Sequence, residues 1–249
     1  MARPVMLITG GSRGIGAATA RLAAARGYDV VITFVRSADA ADAVVAECES
    51  TGARALAVRA DVADEADVVA AFATTVAEVG PIAAFVNNAG TLHPAMRLDE
   101  FDVERLRDVM AVNVIGAIVA LREAVRHMST RHGGAGGAIV NVSSAASYLG
   151  SPNEYIDYAA TKGALDTVTI GLAKEVASEG VRVNAVRPGL IYTDIHELSG
   201  IEDRVEKLSV HVPMQRGGDA DEVAEAILWL ASDAASYVTG SFINTSGGR

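Results

Sequence analysis

Tyr158 and Lys162 stand four residues apart in the stretch Tyr158-Ala159-Ala160-Thr161-Lys162. The chain has six tyrosines and only three lysines (Lys162, Lys174 and Lys207), so a chance pairing at this spacing is rare. On a helix, positions i and i+4 share one face, which aims the phenol and the ammonium the same way. A cation beside a phenol favours the phenolate and is expected to lower the phenol's pKa from its usual value of about 10. A proton donor usable near neutral pH is what reduction of a carbonyl requires. The alternative is an ordinary solvent-facing pair on a surface helix.

A second candidate is Thr9-Gly10-Gly11-Ser12-Arg13-Gly14-Ile15-Gly16. It lies between an apolar run and an amphipathic stretch carrying Ile15, Thr19 and Leu22. Glycines at such a junction permit a tight turn and let backbone N–H groups approach a pyrophosphate at a helix N-terminus. The spacing is G-x-x-x-G-x-G rather than G-x-G-x-x-G, so the turn alone is weak evidence for a nucleotide site.

The elements that must position these residues alternate along the chain. Short runs rich in Val and Ile fall at Val5–Thr9, Val30–Phe34, Ala55–Ala60, Ile82–Asn87, Ala138–Ser143, Val181–Arg187 and Ser241–Asn244. They lack polar alternation, as strands buried on both faces do. Helical stretches are expected over 14–26, 38–50, 64–79, 102–129, 156–179 and 220–232, several stopped by glycine (Gly27, Gly52, Gly80, Gly180). Asp64 is placed to cap the third helix, with Asp67 in its first turn. This alternation predicts an α/β fold, one doubly wound Rossmann-type parallel sheet of about seven strands spanning 1–249. Residues 132–137 read as a glycine-rich loop. Residues 189–218 have no clean period and mix Ile191, Ile195, Leu198, Ile201, Val205 and Leu208 with polar residues, as a substrate lid would.

With both motifs in place, the chain resembles the short-chain dehydrogenase/reductase family along its whole length. Thr9 to Gly16 resembles the family's T-G-x-x-x-G-x-G cofactor turn, which brings Gly10, Ser12, Arg13, Gly14, Ile15 and Gly16 to the dinucleotide. Asp61-Val62 resembles the pair at the adenine ring, and Asn87-Asn88-Ala89-Gly90 the N-N-A-G element. Asn113 matches the asparagine of the catalytic tetrad. Val142-Ser143-Ser144 ends the fifth strand, and the resemblance makes Ser144 the catalytic serine, with Ser143 as the alternative. Pro188-Gly189, Ile191 and Thr193 resemble the segment that closes on the nicotinamide amide. The implied mechanism gives Tyr158 the proton, Ser144 the substrate oxygen, Lys162 the phenolate and the ribose hydroxyls, and Asn113 a water linked to Lys162. A core asparagine satisfied by a backbone carbonyl is the other reading of Asn113. Ser144 lies one residue further from Tyr158 than is usual in the family, so the loop from Tyr148 to Asp157 holds an extra residue beside the substrate pocket.

The resemblance implies a nicotinamide cofactor, and the residues after the second strand bear on which one. Thr33, Phe34, Val35, Arg36 and Ser37 offer no carboxylate for a ribose 2′-OH. Arg36, followed by Ser37, offers a fork of donors suited to a 2′-phosphate, and Arg13 is placed to reach the same group. NADP is therefore expected, with NAD possible were Asp39 to fold back onto the ribose. The family also implies a homotetramer. Val109, Val112, Ala117, Ala120 and Leu121 spread over more than one face of helix 102–129, which asks for cover on both sides.

Composition excludes several classes. Half of the 249 residues are hydrophobic and the formal charge is −10, which disfavours nucleic acid or an anionic membrane as partner. Cys48 is the only cysteine, so no internal disulfide forms. No charged leader precedes Val5, and no run of ~18 apolar residues suggests a membrane span, so a cytoplasmic enzyme acting on a small carbonyl or alcohol is expected. His93, His127, His132, His196 and His211 have no metal-ligand spacing, and no metal is expected. His127 and His132 read as solvated helix-end residues, and His93 and His196 as surface or pocket-edge residues. Tyr148 and Tyr155 flank the active-site loop. Arg122, Arg126 and Arg131 read as a solvated helix face able to meet an acidic carrier protein. The competing functions are an NAD-dependent sugar or alcohol dehydrogenase, a dinucleotide-sensing protein without catalysis, and an epimerase or dehydratase on the same fold. Retention of Tyr158, Lys162 and Ser144 speaks for catalysis.

Overall fold

The structure is a computed structural model that describes residues 3–193 and 203–249. Seven strands form one parallel sheet in the order β3-β2-β1-β4-β5-β6-β7: β1 Val5–Ile8, β2 Asp29–Phe34, β3 Ala55–Arg59, β4 Ile82–Asn87, β5 Gly137–Val142, β6 Val181–Pro188 and β7 Phe242–Thr245. Successive residues of β1 explain the unbroken apolar runs. Met6 and Ile8 pack with α1 (Gly14–Ala25), α2 (Ala38–Glu49) and α9 (Ala220–Ala231), while Val5 and Leu7 pack with α3 (Glu65–Glu78), α5 (Ala117–Met128) and α7 (Ile156–Val176). Both faces of the sheet are dry, so neither set is polar. Chain order reverses between β1 and β4, and the crevice at the carboxyl ends of strands beside such a reversal is where α/β folds bind ligands.

Local chemistry sets the element ends. The Asp64 carboxylate accepts from the Ala66 N–H at 2.8 Å, capping α3 as its sequence predicts. Gly27, Gly52, Gly80 and Gly180 all take positive φ at the ends of helical segments.

The expected helix over 102–129 is three pieces. After α4 (Val103–Met110), residues Ala111–Gly116 widen into a π-helical stretch before α5. Gly116 lies so close to Val62 that an added Cβ would meet the Val62 carbonyl oxygen at 2.3 Å, and Asn113 bonds across to Thr91. These two contacts hold the widened turn against the segments that follow β3 and β4. A second correction concerns the outer faces of these helices. Val109, Ala117, Ala120 and Leu121 are buried within this one chain and Val112 is half-buried, whereas Val103, Ile115 and Ile118 are the exposed large apolar residues of the span. Residues 189–218 include the short α8 (Arg204–Ser209) and a parallel bridge between Ile191 and Gly218. Ile195, His196, Leu198 and Ile201 lie outside the described residues. Two short helical elements, α6 (Ala146–Leu149) and α8, are absent from the sequence expectation. No helix among the described residues is long and apolar enough to cross a membrane.

Candidate active site

The carboxyl ends of β1, β2, β4, β5 and β6 open into one cavity of about 690 Å³. Its floor at the β1 end is the glycine turn. Gly10 and Gly14 have φ of +65° and +53°, which side chains resist. Gly16 lies behind the turn, where an added Cβ would meet the Gly10 carbonyl oxygen at 2.4 Å and Asn88 Nδ2 at 2.6 Å. The turn is then locked from β4 and β2. Asn88 Nδ2 donates to the carbonyls of Thr9 (2.8 Å) and Gly10 (3.0 Å), the N–H groups of Asn88 and Ala89 both donate to Thr9 Oγ1, and Gly10 N donates to Thr33 Oγ1. The Asn88 side chain thus braces the turn, while Asn87 bonds to Ala117 and Asn141 and Ala89 and Gly90 line the cavity.

Arg13 and Arg36 line the same end, with no ion-pair partner among the described residues. Two unpaired guanidiniums give this mouth a positive potential in a chain of net charge −10. Asp39 lies in the first turn of α2 and is not part of the cavity wall. A cradle that only glycine fits, at a helix start, with two free arginines beside it, suits a phosphorylated dinucleotide. Ser37, Asp61 and Val62 continue this wall, and Pro188, Gly189, Ile191 and Thr193 form the opposite one. Of the cofactor residues expected from sequence, only Gly16 does not line the cavity.

Ser144, Tyr158 and Lys162 meet at the far end. Lys162 is buried, its ammonium 5.5 Å from the centre of the Tyr158 ring and donating to the Val142 carbonyl at 2.8 Å. The expected lowering of the Tyr158 pKa does not hold here. Burial pushes the phenol up to about 12, opposed by a hydrogen bond with Ser144. The ammonium donates to a backbone carbonyl and does not offset the desolvation of the phenol. Burial likewise brings Lys162 down to about 8, with Asp166 pulling the other way.

The two serines are told apart by their partners. Ser143 Oγ is buried and donates to Asp166 Oδ1 at 2.6 Å, and Asp166 also holds Arg187 at 2.8 Å. Ser144 lines the cavity beside Tyr158. Asn113 is buried behind the cavity wall. Its side chain pairs with both backbone groups of Thr91 at 2.8 Å and donates to Thr161 Oγ1 at 3.2 Å. The bond to a backbone carbonyl anticipated for a core asparagine is therefore present.

Several residues at this end gave no signal in the sequence. Arg105 and Asp157 form a buried bidentate pair (2.7 and 3.2 Å) that joins α4 to the start of α7, next to Tyr158. Arg105 also donates to the Pro94 carbonyl at 2.7 Å and stacks on Phe101 at 4.1 Å, while Asp157 accepts from the Tyr158 N–H. Glu154 grips Arg204 with two bonds of 2.8 and 2.7 Å, and both line the cavity. The enlarged loop supplies Glu154, and it turns through positive φ at Gly150, Ser151 and Asn153.

The remaining candidates separate plainly. Tyr155 lines the cavity and meets Tyr158 edge-on at 5.9 Å, whereas Tyr148 is not in the wall and donates to the Arg249 carbonyl. His127 is half-buried and stacked on Phe72 at 5.8 Å rather than solvated; His132 is exposed, and His93 is not in the cavity wall. Arg122, Arg126 and Arg131 each pair with glutamate (Glu65, Glu123 or Glu179), which weakens their case as a docking face for an acidic carrier. Among the described residues no His, Cys, Asp and Glu cluster could hold a metal ion.

The profile of a family described as "Enoyl-(Acyl carrier protein) reductase" matches residues 10–249. The chain is 51% identical to the "Uncharacterized oxidoreductase YgfF" of Escherichia coli (strain K12), over 98% of this chain and 99% of that protein. It is 42% identical to the "Cis-4-hydroxycyclohexanecarboxylate dehydrogenase" of Sinomonas cyclohexanicum, over 99% and 96%. Among solved structures, a short chain dehydrogenase from Burkholderia cenocepacia J2315 in complex with NADP superposes with a TM-score of 0.90 at 35% identity, covering 98% of this chain and 97% of that one.

Proposed function

From the chain's membership of the short-chain dehydrogenase/reductase family, we propose that it is an NADP(H)-dependent oxidoreductase interconverting ketones and secondary alcohols, with Tyr158 as general acid and base. The observation that carries this reading is the meeting of Ser144, Tyr158 and Lys162 in the cavity that also contains the glycine turn. When bound, the nicotinamide supplies or takes up the hydride. The glycine turn, Asp61-Val62, the 88–90 backbone and the 188–193 segment would hold the dinucleotide, with Arg13, Arg36 and Ser37 at its 2′-phosphate.

The protein's own residues manage the proton. With a pKa near 12, Tyr158 is fully protonated at neutral pH. A stocked acid suits donation to a far more basic alkoxide, so reduction needs no lowered pKa. Oxidation needs the phenolate, and the buried Lys162 ammonium one helical turn away is the group able to stabilise it. Ser144 orients the substrate oxygen against Tyr158. Asn113, bound to Thr91 and Thr161, fixes the wall behind Lys162.

The dehydrogenase named for the Sinomonas relative supports a secondary alcohol as substrate, and the NADP in the Burkholderia structure supports the cofactor. The absence of Asp39 from the cavity wall favours NADP over NAD. The reading also takes the protein as a cytoplasmic homotetramer built as one unit over 1–249. Exposed Ile115 and Ile118 offer apolar surface for subunit contact, and the segment 189–218 serves as the substrate lid. NADPH and NADH oxidation across a panel of cyclic and linear ketones tests the function. Turnover with kcat/KM higher for NADPH is expected, and an inert protein overturns it. A monomer in light scattering at micromolar concentration contradicts the assembly.

A further inference from the structure

Arg204 is 5% exposed and lines the substrate end of the cavity, yet its Nε–H has no hydrogen-bond partner among the described residues. A guanidinium has five N–H donors on two usable edges. Glu154 occupies the terminal edge, one carboxylate oxygen on each Nη. Nε, on the side edge, is left without an acceptor, with the Tyr155 side chain its nearest polar neighbour. A buried donor in that condition destabilises the fold, and an acceptor arriving with a ligand is a physical reason to retain it.

The charge around that edge selects the acceptor. Among the described residues, Arg204 and Lys162 line this end of the cavity and Glu154 is the side-chain carboxylate there; Asp61, the other acid of the wall, follows β3 at the opposite end. The surplus is positive, and a guanidinium N–H matches a carboxylate. The guanidinium lies 5.1 Å over the Tyr155 ring, and that ring meets Tyr158 edge-on at 5.9 Å, so Tyr155 packs against both. Leu92, Leu149, Pro152 and Leu190 add apolar surface to the cavity wall.

Resting on the oxidoreductase reading above, we propose that Arg204 binds a substrate carboxylate through its Nε–H, and that the substrates are oxo or hydroxy acids. Glu154 holds the guanidinium from its other edge, and its negative charge opposes an incoming carboxylate, so a glutamine in its place keeps the grip and removes the opposition.

The test compares 4-oxocyclohexanecarboxylate with its methyl ester, measured as the ratio of their kcat/KM values with NADPH. Wild-type protein should favour the acid by ~100-fold, as expected for one charge-assisted contact of about 3 kcal/mol. Arg204→Gln should bring the ratio close to one, mainly through KM for the acid. Glu154→Gln should raise the ratio above wild type, because the opposing charge is gone. An acid-to-ester ratio at or below one in wild type, or one unchanged in Arg204→Gln, overturns the assignment while ester turnover keeps the oxidoreductase reading intact. A fall of the ratio in Glu154→Gln to the Arg204→Gln level also overturns it. A protein inert towards the whole ketone panel fails the reading on which this inference rests.

Discussion

The two ends of the cavity are built by different means. At the glycine turn the backbone does the work: positive φ at Gly10 and Gly14, no room for a Cβ at Gly16, and side chains of Thr9, Thr33 and Asn88 that brace main-chain atoms. At the Tyr158 end, buried charged side chains carry the structure, in the pairs Arg105–Asp157, Glu154–Arg204 and Asp166–Arg187. A backbone site tolerates little change in residue type but holds almost no buried charge. A site of buried ions stores desolvation free energy, which shifts pKa values and makes each partner depend on the other.

The largest expected effect lies at the ionic end. Arg105→Ala leaves Asp157 buried without its counter-charge and should cost about 3–5 kcal/mol of stability, readable in urea unfolding. The double variant Arg105→Met with Asp157→Leu should recover most of that loss, since two well-packed apolar residues leave no charge behind. Equal losses in the single and double variants would mean that packing, not charge, dominates there.

Lys162 sharpens the same contrast through pH. Its ammonium is held near pKa 8 against 10.5 in the unfolded chain. Between these values the unfolded state binds more protons, so the fold gains stability as pH rises from 8 to 10.5. Lys162→Met removes that burden and should be more stable than wild type at pH 7 by up to about 3 kcal/mol. The gap between the two proteins should close above pH 10.5. A gap independent of pH would contradict a strained buried ammonium.

The cofactor end should answer to size and local charge instead. Gly16→Ala presses a methyl group onto the Gly10 carbonyl and should cost about 1–3 kcal/mol by overpacking, together with weaker dinucleotide binding. Arg36→Ala should lower kcat/KM for NADPH about tenfold, a loss of roughly 1.4 kcal/mol, and leave NADH nearly unchanged. Equal losses with both cofactors would remove Arg36 from the phosphate.

This division also explains what could be read from the sequence. The strands, most of the helices, the Asp64 cap and the glycine stops were legible, because backbone constraints impose residue types at fixed local spacing, while the resemblance to the family marked nearly all the expected residues that line the cavity. The i, i+4 spacing placed Tyr158 and Lys162 together correctly but gave the wrong sign for the Tyr158 pKa, since spacing carries no information about desolvation. Ser143 and Ser144 became distinguishable only when Asp166 was seen to hold the first. The ion pairs were invisible: Arg105 and Asp157 are 52 residues apart in sequence, and Glu154 and Arg204 are 50 apart. The π-helical turn was hidden for the same reason, since it depends on Thr91 and Val62 meeting Asn113 and Gly116 from loops distant in sequence.

The central claim is that Tyr158 moves the proton while the glycine turn holds the dinucleotide independently of it. Tyr158→Phe removes the hydroxyl and keeps the ring, so kcat for ketone reduction should fall by ~10³-fold or more, within the range of a lost general acid. NADPH affinity, followed by fluorescence titration of the same preparation, should stay within a few fold of wild type. Near-normal kcat in Tyr158→Phe, with NADPH still bound, would contradict the account.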